Sequence, residues 1–420
     1  MISEYLYWII LLFITVEFLF EQILERLQYK SYEYPIPDEL KDIYSSEEIE
    51  KQKSYHKEYF RFETKHDFIF FILTIFVFAF QLPGKLDIWL RTFIDSDFLL
   101  TLTFFAIFGL IIFILGIPFQ YYEIFIIEQK YGFNTSTIKT FVTDILKSIF
   151  LSIIIGIPLL YAIFNFYQFS GEYFWLYTWI VLTSFSLFIT FFYSKLIVPL
   201  FNKQTPLPNG ELKEAIMNFC KQVNFQVKDI YVLDASKRSK KANAYFTGFG
   251  KNKRIVLFDT LINQLSTEEI VAVLSHEIGH FKHKHILKSF LIITLQLALT
   301  MFILSLFIRN IELSKALGAN VPSFHLGIIA FGILYSPFSS IISILLNHIS
   351  RRNEQQADKY SVKYGQSANL ISALKKLASV NYSHLTPHPL YVKIYYSHPP
   401  IKERINFMKN YESLDFVNRK

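Results

Sequence analysis

FLLTLTFFAIFGLIIFILGIPFQYY, residues 98–122, carries no charged side chain over a length beyond the roughly 20 residues that a helix needs to cross a bilayer. Four more runs of this kind follow it: Ser148 to Gly171, Tyr173 to Ser194, Ser289 to Ile308 and Phe324 to Ser350. Two shorter ones precede it. Phe68 to Gly84 is marginal in length, and Tyr5 to Phe20 can cross if Glu17 faces protein rather than lipid. Helices buried in a large soluble protein would need charges or caps every few turns, and fewer aromatic residues than 45 Phe among 420. The expected fold is mainly α: a polytopic membrane helix bundle of about seven transmembrane helices with a small α+β domain attached.

The first run lacks a basic flank, and no small-x-small cleavage site follows it, so it reads as a retained helix rather than a signal peptide. Cys220 is the only cysteine; no internal disulfide is possible and nothing argues for an oxidising compartment. Lys and Arg crowd the segment after the first span, from Arg26 to Lys65, and the one after the third, at Lys130, Lys139 and Lys147. The alternate loops are poorer, which puts the long segment after span five and the C-terminal tail in the cytoplasm. The net charge of +7 suits anionic lipid headgroups, and no nucleic-acid motif accompanies it.

Two polar segments remain to build a site. Between Lys195 and Lys288 the chain shows turn chemistry at Thr205 to Gly210 and a helix pattern from Glu211 to Val223. Short β-rich runs follow at Ile230 to Asp234, Ala244 to Gly248 and Arg254 to Phe258, and a small sheet of this kind offers an edge onto which an extended peptide can add. A helix opening at Ser266 or Thr267 then carries His276-Glu277-Ile278-Gly279-His280. Imidazoles four residues apart project from one helical face and can grip one Zn²⁺, with Glu277 where a zinc protease keeps its general base.

Catalytic zinc usually takes a third protein ligand and leaves one position for water. His283 and His285 compete for that place, but the His-rich zinc-protease pattern needs Gly at position 283 and His at position 286, so both read as interfacial residues. The better candidate is Glu354, in Arg351-Arg352-Asn353-Glu354-Gln355-Gln356-Ala357-Asp358, on a helix continuing inward from the last span. Asp358, one turn on, can accept the free ring N–H of His276 and fix its tautomer.

The helix-borne zinc motif followed by Asn353-Glu354 and Asp358 looks like the glutamate-ligand zinc peptidases, and further stretches narrow the likeness. These are Phe125 to Asn134, Pro199 to Lys203 with Pro206-Leu207-Pro208, Ala242 to Gly248, and Tyr396-Ser397-His398-Pro399-Pro400. In this order they make the chain resemble the type I CaaX prenyl endopeptidase family, also called the CAAX prenyl protease 1 family, whose members are seven-span membrane zinc proteases. The resemblance implies His276, His280 and Glu354 as ligands of one zinc per chain, Glu277 as base, and Asn243 and His398 as partners of the substrate backbone or oxyanion. Arg404, grouped with them, is a weaker candidate for a place behind the ligands. One departure, Ser236 to Lys241, is more basic than the family's usual approach to Asn243 and bears on peptide preference.

The division expected is a membrane region at 1–195 with five helices and a polar loop at 21–66, a sheet and zinc-peptidase segment at 196–288, two further spans at 289–350, and a cytoplasmic segment with the third ligand at 351–420. The function expected is a membrane-embedded zinc metalloendopeptidase, in which Glu277 takes a proton from a zinc-activated water. Its substrates would be peptides or proteins, lipidated CaaX tails by resemblance, or other membrane-associated chains in a bacterial host. The Phe-, Ile-, Lys- and Asn-rich composition favours a bacterial inner membrane, with the endoplasmic reticulum as the eukaryotic alternative. A non-catalytic zinc-binding transporter or scaffold is the competing class; it would need ionisable groups along its spans, where few occur.

Overall fold

A computed structural model describes residues 1–247 and 254–418, the side chains of residues 246, 247 and 415–418 excepted. Gly248, the end of one expected strand, lies outside them. The N-terminal region contains α1 (Ile2–Lys30), α2 (Ser46–Ala79), α3 (Leu82–Leu90), α4 (Asp97–Tyr122), α5 (Ile138–Phe169) and α6 (Phe174–Phe192). Six helices of the described chain are long and apolar enough to cross a membrane, and α2 with α3, bent by 57° at their junction, makes a seventh crossing if taken as one span. The protein is a multi-pass membrane helix bundle. Gln81, in left-handed backbone at φ 50, makes the bend. The expected span Phe68 to Gly84 therefore stops at Ala79. Gly84 belongs to the next helix, where its missing side chain lets the backbone press against Gly318 and Ala319, and its N–H donates to Leu317 O at 2.9 Å.

Residues 21–66, expected to be a polar loop, are mostly helix. The first helix runs past its apolar stretch to Lys30, and α2 opens at a capping box in which Ser45 and Glu48 exchange side-chain-to-backbone hydrogen bonds of 3.2 and 2.7 Å. Polar residues stay helical here because their side chains find partners on other elements: Tyr55 Oη donates to Glu128 at 2.6 Å and Tyr391 Oη to Glu25 at 2.8 Å.

After π-helical turns at Tyr193–Ile197 the chain leaves the bundle through α7 (Val198–Phe201) and forms β1 (Gln204–Pro206), α8 (Glu211–Gln222), β2 (Asp229–Leu233), β3 (Ala244–Thr247), β4 (Arg254–Phe258), α9 (Asp259–Gln264) and α10 (Thr267–Lys282). The sheet order is β1-β2-β4-β3, with β2 and β4 parallel and both edge strands antiparallel to their neighbours. The stretch read as a turn at Thr205 thus begins as an edge strand, a place where Pro206 is tolerated because no ladder N–H is needed on the outer side. Ile216, Phe219, Ile255, Leu257, Leu274 and Ile278 close one core between α8, the sheet and α10. Cys220 lies in that core, and burial pushes its thiol up to about 11, which keeps it inert.

Lys284, again left-handed at φ 58, turns the chain back into the bundle as α11 (His285–Phe307), followed by α12 (Ile311–Ala316), α13 (Phe324–Lys363), α14 (Ser367–Val380), α15 (Pro389–Tyr395) and α16 (Ile401–Asn418). Helix α13 is continuous from its apolar half through Arg351 to Asp358 and lies along α10. The contact is close: a Cβ on Gly279 would meet Ala357 Cα and Tyr360 Cβ at 3.0 Å, and Ser275 Oγ donates to Ser361 Oγ at 2.6 Å. Gly279→Ala should push the two helices apart and cost about 1–3 kcal/mol. A drop in thermal unfolding temperature together with weaker metal uptake checks it; an unchanged variant means that the contact is slack.

Candidate metal and active site

A Ser266–Glu269 capping box starts α10, and Glu269 also holds Ser372 and Lys376 of α14, so the helix that carries the His motif is fixed at its N-terminus. Three turns on, His276 Nε2 and His280 Nε2 lie 3.1 Å apart. Glu354 of α13 completes the group, with Oε2 3.3 Å from His276 Nε2 and Oε1 3.1 Å from His280 Nε2. Among the described residues this is the one cluster of three His, Cys, Asp or Glu side chains that could hold a metal.

The donor set fits zinc. Ligand bonds of about 2.0–2.2 Å in a tetrahedron put ligand atoms roughly 3.3 Å apart, the spacing seen here. Glu354 Oε2 is buried with no hydrogen-bond partner, an orphan that a cation satisfies. Burial and the nearby Arg404 pull the His276 imidazole down, yet the carboxylates of Asp358 and Glu354 outweigh them and hold it up to about 9.

Both imidazoles are oriented by their second nitrogens. Asp358 Oδ1 accepts from His276 Nδ1 at 2.8 Å, and Arg404 clamps the same carboxylate with Nε and Nη2 at 2.9 and 2.6 Å. Arg404 is only 11% exposed, and Asp358 keeps its guanidinium charged against burial. Arg404, the weaker candidate, therefore stands behind the His276–Asp358 pair and holds the carboxylate that orients the imidazole.

His285 is the residue that sequence reasoning misplaced. Far from standing at the interface, it is 3% exposed; its Nδ1 lies 3.1 Å from His280 Nδ1 and its Nε2 3.0 Å from Gln356 Oε1. Gln356 accepts the Nε2–H of His285, which leaves His285 Nδ1 to accept from His280 and frees His280 Nε2 for a metal. Its spacing, five residues beyond His280 across a helix break, matches no ligand rule, and only the left-handed turn at Lys284 folds it back. His283 is exposed and stacks on His285. His285→Ala should weaken metal binding 10- to 100-fold, with partial rescue by His285→Gln, which keeps an acceptor. Competition with a chelator reads this directly, and equal affinities in all three proteins would remove His285 from the site.

An 800 Å³ cavity opens on the cluster. Glu277, His280, Glu354 and His398 line it together with Tyr245 of β3, and Leu187, Phe191, Ile286 and Phe290 from α6 and α11 give it an apolar wall. His398 Nε2 stands 3.4 Å from Glu354 Oε1 while Nδ1 meets Ser397 Oγ at 2.9 Å. Arg351 fixes that segment by donating to the carbonyls of Val392 and Tyr396. Asn243 is exposed at the start of β3, its Oδ1 accepting from Ala244 N–H at 2.8 Å, and is not among the residues lining the cavity.

An integral-membrane metallopeptidase is the class that such a fold and such a site define. The family "CAAX prenyl protease N-terminal, five membrane helices" matches residues 25–203, and "Peptidase family M48" matches residues 206–412. The chain belongs to peptidase family M48, in the branch that carries this membrane region, and is a metalloendopeptidase. It is 38% identical over 407 residues to the CAAX prenyl protease 1 homolog of Arabidopsis thaliana, covering 94% of this chain and 95% of that one. It is 33% identical to the CAAX prenyl protease 1 of Saccharomyces cerevisiae, covering 97% and 95%. The crystal structure of S. mikatae Ste24p superposes with a TM-score of 0.91 at 32% identity, over 96% of this chain and 99% of that one.

Proposed function

We propose that the protein is a zinc endopeptidase that cleaves the C-terminal CaaX tail of prenylated proteins on the cytoplasmic face of its membrane. The observation that carries this is the convergence of His276, His280 and Glu354 at the end of a cavity whose other wall is apolar and continuous with α6 and α11. A lipidated chain end can partition along that wall while its peptide reaches the cluster.

Zinc, when bound by the three ligands, supplies a Lewis acid that acidifies water and polarises the scissile carbonyl. Glu277, half-buried beside His276 and facing the cavity, takes the proton of the attacking water on a carboxylate oxygen and returns it to the leaving amine. His398 reaches the tetrahedral oxygen as a hydrogen-bond donor. Strand β3 is a sheet edge with Tyr245 in the cavity wall, so an extended substrate adds beside it, and Asn243 at its start binds substrate backbone. Asp358, Arg404, His285 and Gln356 hold the imidazoles in the tautomers that ligate.

The test is a purified preparation with its zinc content measured, given a prenylated CaaX peptide and its unmodified twin. Cleavage of the prenylated peptide at least about tenfold faster is expected, since even a few buried methylenes are worth this much. Equal rates would strike out lipid recognition and leave the peptidase; no cleavage of either by fully loaded protein would remove both.

A further inference from the structure

We propose that a second cavity, at the end of α6 and separate from the catalytic one, binds the phosphate-bearing headgroup of an anionic membrane lipid. This cavity measures 720 Å³ and shares no lining residue with the catalytic groove. Its walls carry Lys147, Lys195, Lys203, Lys237 and Arg254 against a single carboxylate, Asp234.

The neighbouring acids are already engaged. Asp144 gives both oxygens to Arg238, at 2.7 and 2.9 Å. Asp234 Oδ1 accepts from Asn202 Nδ2 at 3.0 Å and from the backbone N–H of Lys203 at 2.7 Å. Arg254 lies over the Tyr231 ring with Asp229 at 3.9 Å. Among the described residues, Lys147, Lys195, Lys203 and Lys237 form no ion pair. Four ammonium groups around one cavity repel one another, and an anion among them converts that repulsion into attraction.

Placement decides the source of the anion. Lys147 stands in the third turn of α5, next to Ser148 where its charge-free run opens, and Lys195 in the π-helical turns that end α6, so both lie at ends of membrane-spanning stretches. Such widened turns recur at functional sites. Beside the lysines, Leu196 and Leu200 are exposed, and Pro199 and Phe201 line the cavity. Cations on one wall and an apolar flank reaching into the bilayer suit a lipid, with acyl chains along α6 and the phosphate among the lysines. A free phosphate compound would use the first feature and leave the second idle.

The experiment uses the full chain in a neutral detergent, titrated by calorimetry with dioctanoyl phosphatidylglycerol, dioctanoyl phosphatidylcholine and glycerol phosphate. Saturable binding of the phosphatidylglycerol is expected, about tenfold or more tighter than of the phosphatidylcholine, and it should fall by roughly tenfold in Lys147→Gln/Lys237→Gln. Lys195→Gln/Lys203→Gln should fall likewise, while Lys221→Gln/Lys228→Gln, exposed elsewhere on the domain, should not. Glycerol phosphate binding as tightly as the lipid would overturn the lipid assignment. Equal binding of the two lipids, or normal binding by both Lys147→Gln/Lys237→Gln and Lys195→Gln/Lys203→Gln, would overturn the site.

Discussion

Glu277→Gln is expected to keep its full equivalent of zinc and to lose peptide cleavage by roughly a thousandfold. The carboxylate is not one of the converging ligands: His276 and His280 point one way along α10, and Glu354 arrives from α13 to meet them. Glu277 faces the cavity instead, so an amide of the same shape leaves the ligand cage intact while removing the group that can carry a proton. Elemental analysis and a peptide assay on one preparation decide it. A variant that loses metal with activity would place Glu277 among the ligands, and one that retains cleavage would remove it from the chemistry.

Glu354→Gln should fail in the other way, losing metal and activity together. Its carboxylate bridges both imidazoles at 3.1 and 3.3 Å and carries the buried oxygen without a hydrogen-bond partner. A neutral amide offers a far poorer ligand at that place. The affinity loss should exceed the 10- to 100-fold typical of residues that only orient a ligand, such as Asp358→Asn, so the two variants rank in that order in a chelator titration. Equal affinities for Glu354→Gln and the parent protein would leave the cluster a hydrogen-bonded core rather than a metal centre.

Much of this arrangement is legible in the residues. Charge-free runs marked the spans because a bilayer admits little else, and the four-residue spacing of His276 and His280 needs only a helix to become a chelate. Glu354 and Asp358 share a face for the same reason, but that this face meets α10 is a tertiary fact, written in Gly279 and Ala357 as the smallness that lets two backbones close. The polar extensions of α1 and α2 were hidden, since Glu25 and Tyr55 look solvated until their partners Tyr391 and Glu128 arrive from distant segments. His285 and the cationic cavity were hidden too. Each depends on a local break, the left-handed Lys284 or the π-helical turns after Phe192, that no periodic pattern announces.

Helix α13 has a consequence for how the enzyme meets its surroundings. Its 40 residues, with Pro337 in the apolar half, extend about 60 Å, roughly twice the thickness of the hydrocarbon layer, so one helical rod joins lipid to ligand. Because α10 is pinned to that rod at Gly279 and Ser275, the peptidase domain has no hinge there about which to swing. A bilayer of different thickness tilts rod and domain together: it resets the height of the cluster above the acyl chains and leaves the distances inside the cluster unchanged.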